Sequence, residues 1–211
     1  MRKAYPVYLD LSERVAVIVG AGKVAARKAS RLIDAGAGSV KIIAPEQRAA
    51  LPPSAVYIRE SYQPQHLSDA DLVFAATDIP DINAQVVRDA ISRKIWVNRA
   101  DADDTDAGDF ITPATHTDGP ITFTLSAESA ALSAYLRNQL IRNWDPAWTQ
   151  LAETMQLLRP VIRDRSNLAP AERATIFKTL ASDEALAVLR ASGRDALIEW
   201  IRAKHPNITH A

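Results

Sequence analysis

The stretch VAVIVGAGKVAARKA, Val15 to Ala29, places two glycines and an alanine in the spacing G-x-G-x-x-A, at Gly20, Gly22 and Ala25. In that pattern the first glycine permits a sharp turn. The second lets backbone approach a pyrophosphate, and the third position must be small so that the following helix packs closely on the preceding strand. The helix start then directs free N–H groups and the positive end of its dipole at the phosphates. A second group of residues with chemical potential is DADDTDAGD, 101–109, with five aspartates in nine positions. Such carboxylates can accept protons, cap turns or bind a divalent cation, and an exposed, solvated loop is the plainest reading. A glycine turn alone is weak evidence for a nucleotide. Here a strand precedes it, a helix follows, and a second apolar run, VKIIA, comes next, as a dinucleotide-binding unit requires.

The commonest dehydrogenases end the second strand on an acidic residue that takes the ribose hydroxyls. This strand ends at Ala44 and Pro45, with Glu46 just beyond, so the ribose is held either by Glu46 or by backbone. The nearest arginine, Arg48, lies three residues after Pro45, which favours NAD over NADP.

Those groups need a scaffold. Through about Pro113, short apolar runs (VAVIV, VKIIA, AVYIRE, DLVFAAT, IWVN) alternate with helical stretches, one of them near Asp81 to Arg93. Nearly continuous apolar strands alternating with helices indicate a parallel sheet covered on both faces. Next, PITFTLS alternates Ile121, Phe123 and Leu125 with Thr122, Thr124 and Ser126, the pattern of an antiparallel strand belonging to a different sheet. Beyond Glu128 the pattern is helical, with breaks expected at Asp145-Pro146, Pro160, Pro170, Ser182-Asp183 and Ser192-Gly193. Ser129, Ser182 and Asn167 supply helix-start chemistry. The fold class is therefore α/β: a Rossmann-like parallel sheet over 1–113, a small β-containing segment over 114–146, and an all-helical C-terminal domain over 147–211.

The 211-residue chain is 47% hydrophobic, enough for real cores. Lys plus Arg and Asp plus Glu both number 25, so no net field recruits nucleic acid or an anionic membrane. There is no cysteine, which removes disulfides and thiolate chemistry; any redox step needs a borrowed cofactor. His66, His116, His205 and His210 are scattered without paired spacing, so no metal site is expected. His116 reads as a loop histidine, and Trp144, Trp148 and Trp200 as core or interface residues. No G-x-S-x-G elbow or Walker-type lysine turn is present. The N-terminus lacks a signal-peptide core and the first apolar segment is too short to span a bilayer, pointing to the cytoplasm.

Several segments together resemble the precorrin-2 dehydrogenase family of siroheme biosynthesis: YPVYLDL at 5–11, VIVGAGKVAARKASRLIDAGA at 17–37, IIAPE at 42–46, LVFAATDIPDIN at 72–83, IWVNRAD at 95–101 and DFITPA at 109–114. The resemblance implies that NAD contacts fall on Gly20, Gly22, Lys23 and Val24, on Ala44 and Pro45, and near Thr77 and Asp78. It also implies that the catalytic aspartate of an N-x-x-D element (Asn98, Arg99, Ala100, Asp101) is Asp101. The carboxyl ends of parallel strands are where open α/β sheets bind ligands, so these positions would edge one crevice. The implied reaction passes a hydride from precorrin-2 to NAD+, with Asp101 as proton acceptor. It is accompanied by a homodimer sharing its substrate cleft, a dimerisation segment at 114–146, and a chelatase activity for Fe2+ or Co2+. Because the sequence stops at Ala211, a stand-alone dehydrogenase without a methyltransferase domain is expected.

Two departures stand out. The aspartate-rich stretch is about two residues longer than in the family, so Asp103 or Asp104 competes with Asp101 for the working position. The family's Ser/Thr-Gly-Gly-x-Ser-Pro run is replaced by LSAESAALSAYLRNQL, which offers Ser126, Ser129 and Ser133 without the glycines or proline. In that stretch Leu132, Leu136 and Leu140 form one helix stripe, and Arg137 and Arg142 are either solvated or partners for substrate carboxylates. The loss of the glycine and proline run favours, as the alternative to an enzyme, a non-catalytic Rossmann module that binds dinucleotide or tetrapyrrole.

Overall fold

The structure, a computed structural model, describes residues 4–100, 108–127, 129–164 and 168–208. The chain divides into two compact units, Met1–Thr112 and Pro113–Ala211.

In the first unit five strands, β1 (Val15–Val19), β2 (Ser39–Ile43), β3 (Val56–Ile58), β4 (Leu72–Ala75) and β5 (Trp96–Arg99), pair entirely in parallel in the order β3-β2-β1-β4-β5. Period-two side chains send Ala16 and Ile18 of β1, Ile42 and Phe74 to one face and Val17, Val19, Val73 and Val97 to the other, and both faces are buried. Helix α1 (Lys23–Asp34) covers the first face through Ala25, Ala29 and Leu32, while α2 (Pro80–Ser92) covers the second through Val86, Val87 and Ala90. Strand winding runs outward from β1 through β2 to β3, then restarts on the other side at β4. The switch point, where doubly wound sheets bind ligands, therefore lies at β1. Asp71, just ahead of β4, accepts from the Val15 backbone N–H at 2.8 Å and from Arg14 at 2.9 Å, which sets the register of the two central strands at their amino ends.

The second unit opens with a two-stranded antiparallel sheet, β6 (Ala114–Asp118) and β7 (Ile121–Leu125), in which His116 faces Phe123. Strand β7 matches the alternation of its sequence. The TPATHTD run lacks the apolar alternation of a strand, yet it forms β6, and His116 lies on that strand rather than in a loop. Tertiary packing makes it a strand: the His116 ring lies 5.5 Å from Phe123, Phe123 stacks on Trp144 at 5.4 Å, and Trp144 meets Trp148 edge-on at 5.0 Å. Helix α3 (Ala130–Arg142) starts where Ser129 Oγ accepts the Leu132 N–H at 3.1 Å, as its sequence implied.

Helices α4 (Pro146–Asp164), α5 (Pro170–Leu180) and α6 (Asp183–Lys204) form a bundle around Leu151, Leu158, Ile162, Ile176, Leu180, Leu189, Leu197 and Ile201. The break expected at Pro160 does not occur, because α4 runs through it. The lost hydrogen bond and ring clash cost about 3 kcal/mol, and the burial of Leu158 and Ile162 on either side, at roughly 1.5 to 3 kcal/mol each, offsets them. The break at Gly193 is present as a left-handed kink, φ 80°, inside α6. Ser182 caps α6 through the Ala185 N–H at 3.2 Å. Asn167 lies outside the described residues, and the N–H at the start of α5 is taken instead by Glu172, which accepts from Ala169 N at 2.8 Å.

Ala25 has no exposed surface between α1 and the sheet. Replacing it with leucine is expected to lower the stability of the N-terminal unit by about 1 to 3 kcal/mol through overpacking, measured by urea unfolding. A neutral result would show that α1 does not seat tightly on β1.

Candidate dinucleotide site

At the carboxyl end of β1 the chain turns through Gly20, Ala21 and Gly22 into α1. Gly20 has φ +115°, and an added Cβ would lie 2.4 Å from the Ala76 carbonyl oxygen, so this residue has both a backbone and a space requirement for glycine. The turn is held from both sides: the Gly20 N–H donates to Ile43 O at 2.8 Å, and the Ala76 N–H donates to Val19 O at 2.8 Å. Gly22 differs. Its backbone is in an ordinary extended conformation, and a Cβ placed there would have no atom within 4 Å. It is the N-cap of α1 and offers no side chain to the helix's first N–H groups. Open space above Gly22 and a helix start without a side-chain cap leave room and free donors for an anion, so the residues present fit the diphosphate of a dinucleotide.

The other residues singled out from the sequence come to the same edge because the parallel register aligns the strand ends. Val19 lies opposite Ile43 and Ala75, and Ala75 opposite Arg99. Ala44 is buried after β2; its N–H donates to Ile58 O at 3.2 Å and its carbonyl accepts from the Tyr57 hydroxyl at 3.0 Å. Pro45 is exposed, and its carbonyl accepts from Arg59 at 3.3 Å. Thr77, after β4, is anchored by Asn83, a fully buried amide on α2. Asn83 Oδ1 accepts the Thr77 N–H at 3.0 Å and its hydroxyl at 2.8 Å, while Asn83 Nδ2 donates to Thr77 O at 3.0 Å. Asp78 is exposed and pairs with Arg48 at 2.6 Å. Glu46 turns its carboxylate to Arg48 at 3.5 Å.

After β5, the Ala100 N–H donates to Ala75 O at 2.9 Å, extending the strand toward residue 101. Asp101 itself, with Asp103 and Asp104, lies outside the described residues. Asn98, the first residue of the N-x-x-D element, is buried and fully engaged: Oδ1 accepts from Lys28 Nζ at 2.9 Å and Nδ2 donates to Phe110 O at 2.9 Å. Among the described residues no cluster of three or more His, Asp or Glu side chains is arranged to hold a metal ion.

Two participants, Asn83 and Lys28, and one pairing, Arg48 with Asp78, were not found by sequence reasoning. Asn83 looked like one more helix residue, although a polar side chain on the α2 stripe that carries Val86, Val87 and Ala90 was a signal. Lys28 lies on α1, next to the buried Ala29. It lies over the Phe74 ring at 4.7 Å and also donates to Thr112 at 3.3 Å. Burial first, then the neighbouring Arg27 and Arg31, push its ammonium down to about 8. The Arg48–Asp78 pair spans 30 residues and left no local trace.

A parallel sheet that reverses its winding beside a glycine turn and an uncapped helix start defines a Rossmann-like dinucleotide-binding protein. Residues 7–114 match the family described as "Putative NAD(P)-binding", and the chain belongs to that family. Its sequence is similar to siroheme synthases. It is 31% identical over 201 residues to that of Tolumonas auensis, covering 93% of this chain and 42% of the relative. It is 34% identical over 142 residues to that of Photobacterium profundum, covering 64% and 30%. The chain thus spans less than half the length of these relatives. A solved structure of SirC, a precorrin-2 dehydrogenase, superposes with a TM-score of 0.75 at 21% identity, over 95% of this chain and 100% of that one, and shares the fold.

Two measurements probe the site. Gly22→Ala should leave thermal unfolding unchanged while weakening NAD+ binding at least tenfold by calorimetry, since the new methyl meets no protein atom and occupies the phosphate's approach; unchanged binding would place the diphosphate elsewhere. Lys28 has a folded pKa of about 8 against an unfolded value near 10.5, so between those pH values the unfolded chain holds more protons and stability rises with pH. Relative to Lys28→Met, the wild type should gain up to about 1.4 kcal/mol per pH unit across that window in urea titrations. Parallel pH profiles would show that Lys28 is solvated.

Proposed function

We propose that this chain is an NAD-dependent oxidoreductase that converts precorrin-2 to sirohydrochlorin in siroheme biosynthesis. The observation that carries the reading is the uncapped start of α1 behind Gly20 and Gly22 at the switch point of the sheet, in a chain that matches siroheme synthases over most of its length. Bound NAD+ supplies the hydride acceptor. The backbone amides of Gly22, Lys23 and Val24 would hold its diphosphate, the segment at Ala44 and Pro45 would border the ribose, and Thr77 and Asp78 would line the opposite wall. Asn83 fixes that wall by bonding both the N–H and the carbonyl of Thr77.

Asp101 is the proposed base. As the hydride leaves the reduced tetrapyrrole a proton must also leave, and the reading is supported by the place of Asp101 in the sequence, two residues after β5, whose carboxyl end belongs to the edge where such sheets bind ligands. The products balance as sirohydrochlorin, NADH and one proton. The same carboxylate would take pyrrole N–H protons if Fe2+ or Co2+ is inserted, which purified sirohydrochlorin plus either metal tests.

The proposal extends to a cytoplasmic homodimer assembled through residues 114–146, with 147–211 as a helical domain. Its support is the face of α3 on which Leu132, Leu136 and Leu140 all remain exposed, beside an exposed Tyr135: an apolar helix stripe of this kind calls for a partner. Among the described residues no helix is long and apolar enough to cross a membrane.

Anaerobic incubation with precorrin-2 and NAD+ should produce NADH and sirohydrochlorin in equal amounts, faster than spontaneous oxidation. Asp101→Asn should cut turnover by about 10² or more while NAD+ still binds. Oxidation no faster than without protein would favour the alternative, a module that binds dinucleotide or tetrapyrrole without turnover. Full activity in Asp101→Asn would move the base to another carboxylate.

A further inference from the structure

The loop after β2 and the loop after β4 flank the glycine turn from opposite sides, because β2 and β4 are the two neighbours of β1. Arg48 joins all three. Its backbone N–H donates to Ala21 O inside the turn at 3.1 Å, its Nη1 meets Asp78 Oδ2 at 2.6 Å, and its Nε faces Glu46 Oε2 at 3.5 Å. The end of β2 is the place where Rossmann-type sites discriminate the ribose 2′-position: a carboxylate accepts from a free hydroxyl, whereas an arginine takes a 2′-phosphate. This chain carries both groups there, one cation between two carboxylates, which leaves a net charge of −1 on the cluster.

We propose that Glu46 and Asp78, by holding Arg48 between them, make this site select the dinucleotide with a free 2′-hydroxyl, and that Arg48 becomes a 2′-phosphate-binding residue once those two carboxylates are neutralised. The inference rests on the dinucleotide reading given above. A 2′-phosphate brings between one and two further negative charges to a cluster already negative in sum, and it must compete with two carboxylates for one guanidinium. A free ribose diol faces no such repulsion, and the carboxylates are suited to accept its hydroxyls. All three side chains are more than half exposed, so the ion pairs are weak in themselves and easily rearranged by a ligand. It is the sign of the charge that decides between the two cofactors.

The test is calorimetric binding of NAD+ and NADP+ to the full chain at low ionic strength, in the wild type, in Glu46→Gln/Asp78→Asn, and in the same double variant with Arg48→Ala. The wild type should bind NAD+ at least tenfold more tightly than NADP+. The double variant should raise the NADP+/NAD+ affinity ratio at least tenfold through stronger NADP+ binding, and Arg48→Ala on that background should remove the gain. Added salt should shrink the gain, since exposed charges are screened. A double variant that gains no NADP+ affinity, or a gain that survives Arg48→Ala, overturns the assignment even if NAD+ binds normally. A wild type that binds neither dinucleotide overturns this inference and the proposed function together.

Discussion

The close approach of Gly20 to the Ala76 carbonyl is the contact on which the site depends. An added Cβ would sit 2.4 Å from that oxygen, so only a bare backbone lets β1 and β4 remain paired up to the last residue before the turn. Because they do, the amides of Gly20 and Ala76 close the strand ends against Ile43 and Val19, and α1 starts beyond them with no side chain capping its first N–H groups. A side chain at this position would have to lever apart the two central strands, and every other contact at this edge would move with them. The twofold requirement, a left-handed backbone and no Cβ, explains why this position is stricter than Gly22, where only a ligand would meet the missing methyl.

Charge is distributed around that turn to match. The first turn of α1 carries no acidic residue to cap it, which keeps its dipole available to an anion. One and a half turns further along, the half-buried Lys28 lies over Phe74 and reaches Asn98, linking the helix that follows the glycine turn to the last strand of the sheet. Asn98 in turn binds Phe110 O, so the segment after 108 is pinned to β5 from the same point. The helix that follows the glycine turn and the end of β5 are therefore joined through one half-buried lysine.

In the second unit, two of the serines in the stretch LSAESAALSAYLRNQL, Ser129 and Ser133, are engaged by the fold. Ser129 caps α3, and the buried Ser133 hydroxyl accepts from the Ala127 N–H at 2.9 Å and donates to Ser129 O at 2.9 Å. These bonds hold the start of α3. Arg137 bonds the neighbouring Asn138, which leaves the leucines of α3 as the most distinctive feature of that surface.

What could be read from the sequence was governed by short-range physics. The apolar runs of β1 to β5, the spacing of Gly20, Gly22 and Ala25, and the caps at Ser129 and Ser182 each express a preference settled within a few residues, and the fold carries all of them. The sequence alone thus determined an α/β sheet with a phosphate-ready turn, followed by helices. Tertiary structure decided the rest. A partner strand and three aromatic rings made β6 from a run without strand character, and buried leucine and isoleucine carried α4 through Pro160. Lys28 met Asn98 across 70 residues, and Arg48 met Asp78 across 30. Such pairings depend on where distant backbone ends up, and hydrophobic periodicity determines which face of an element is buried but not which side chains meet across it.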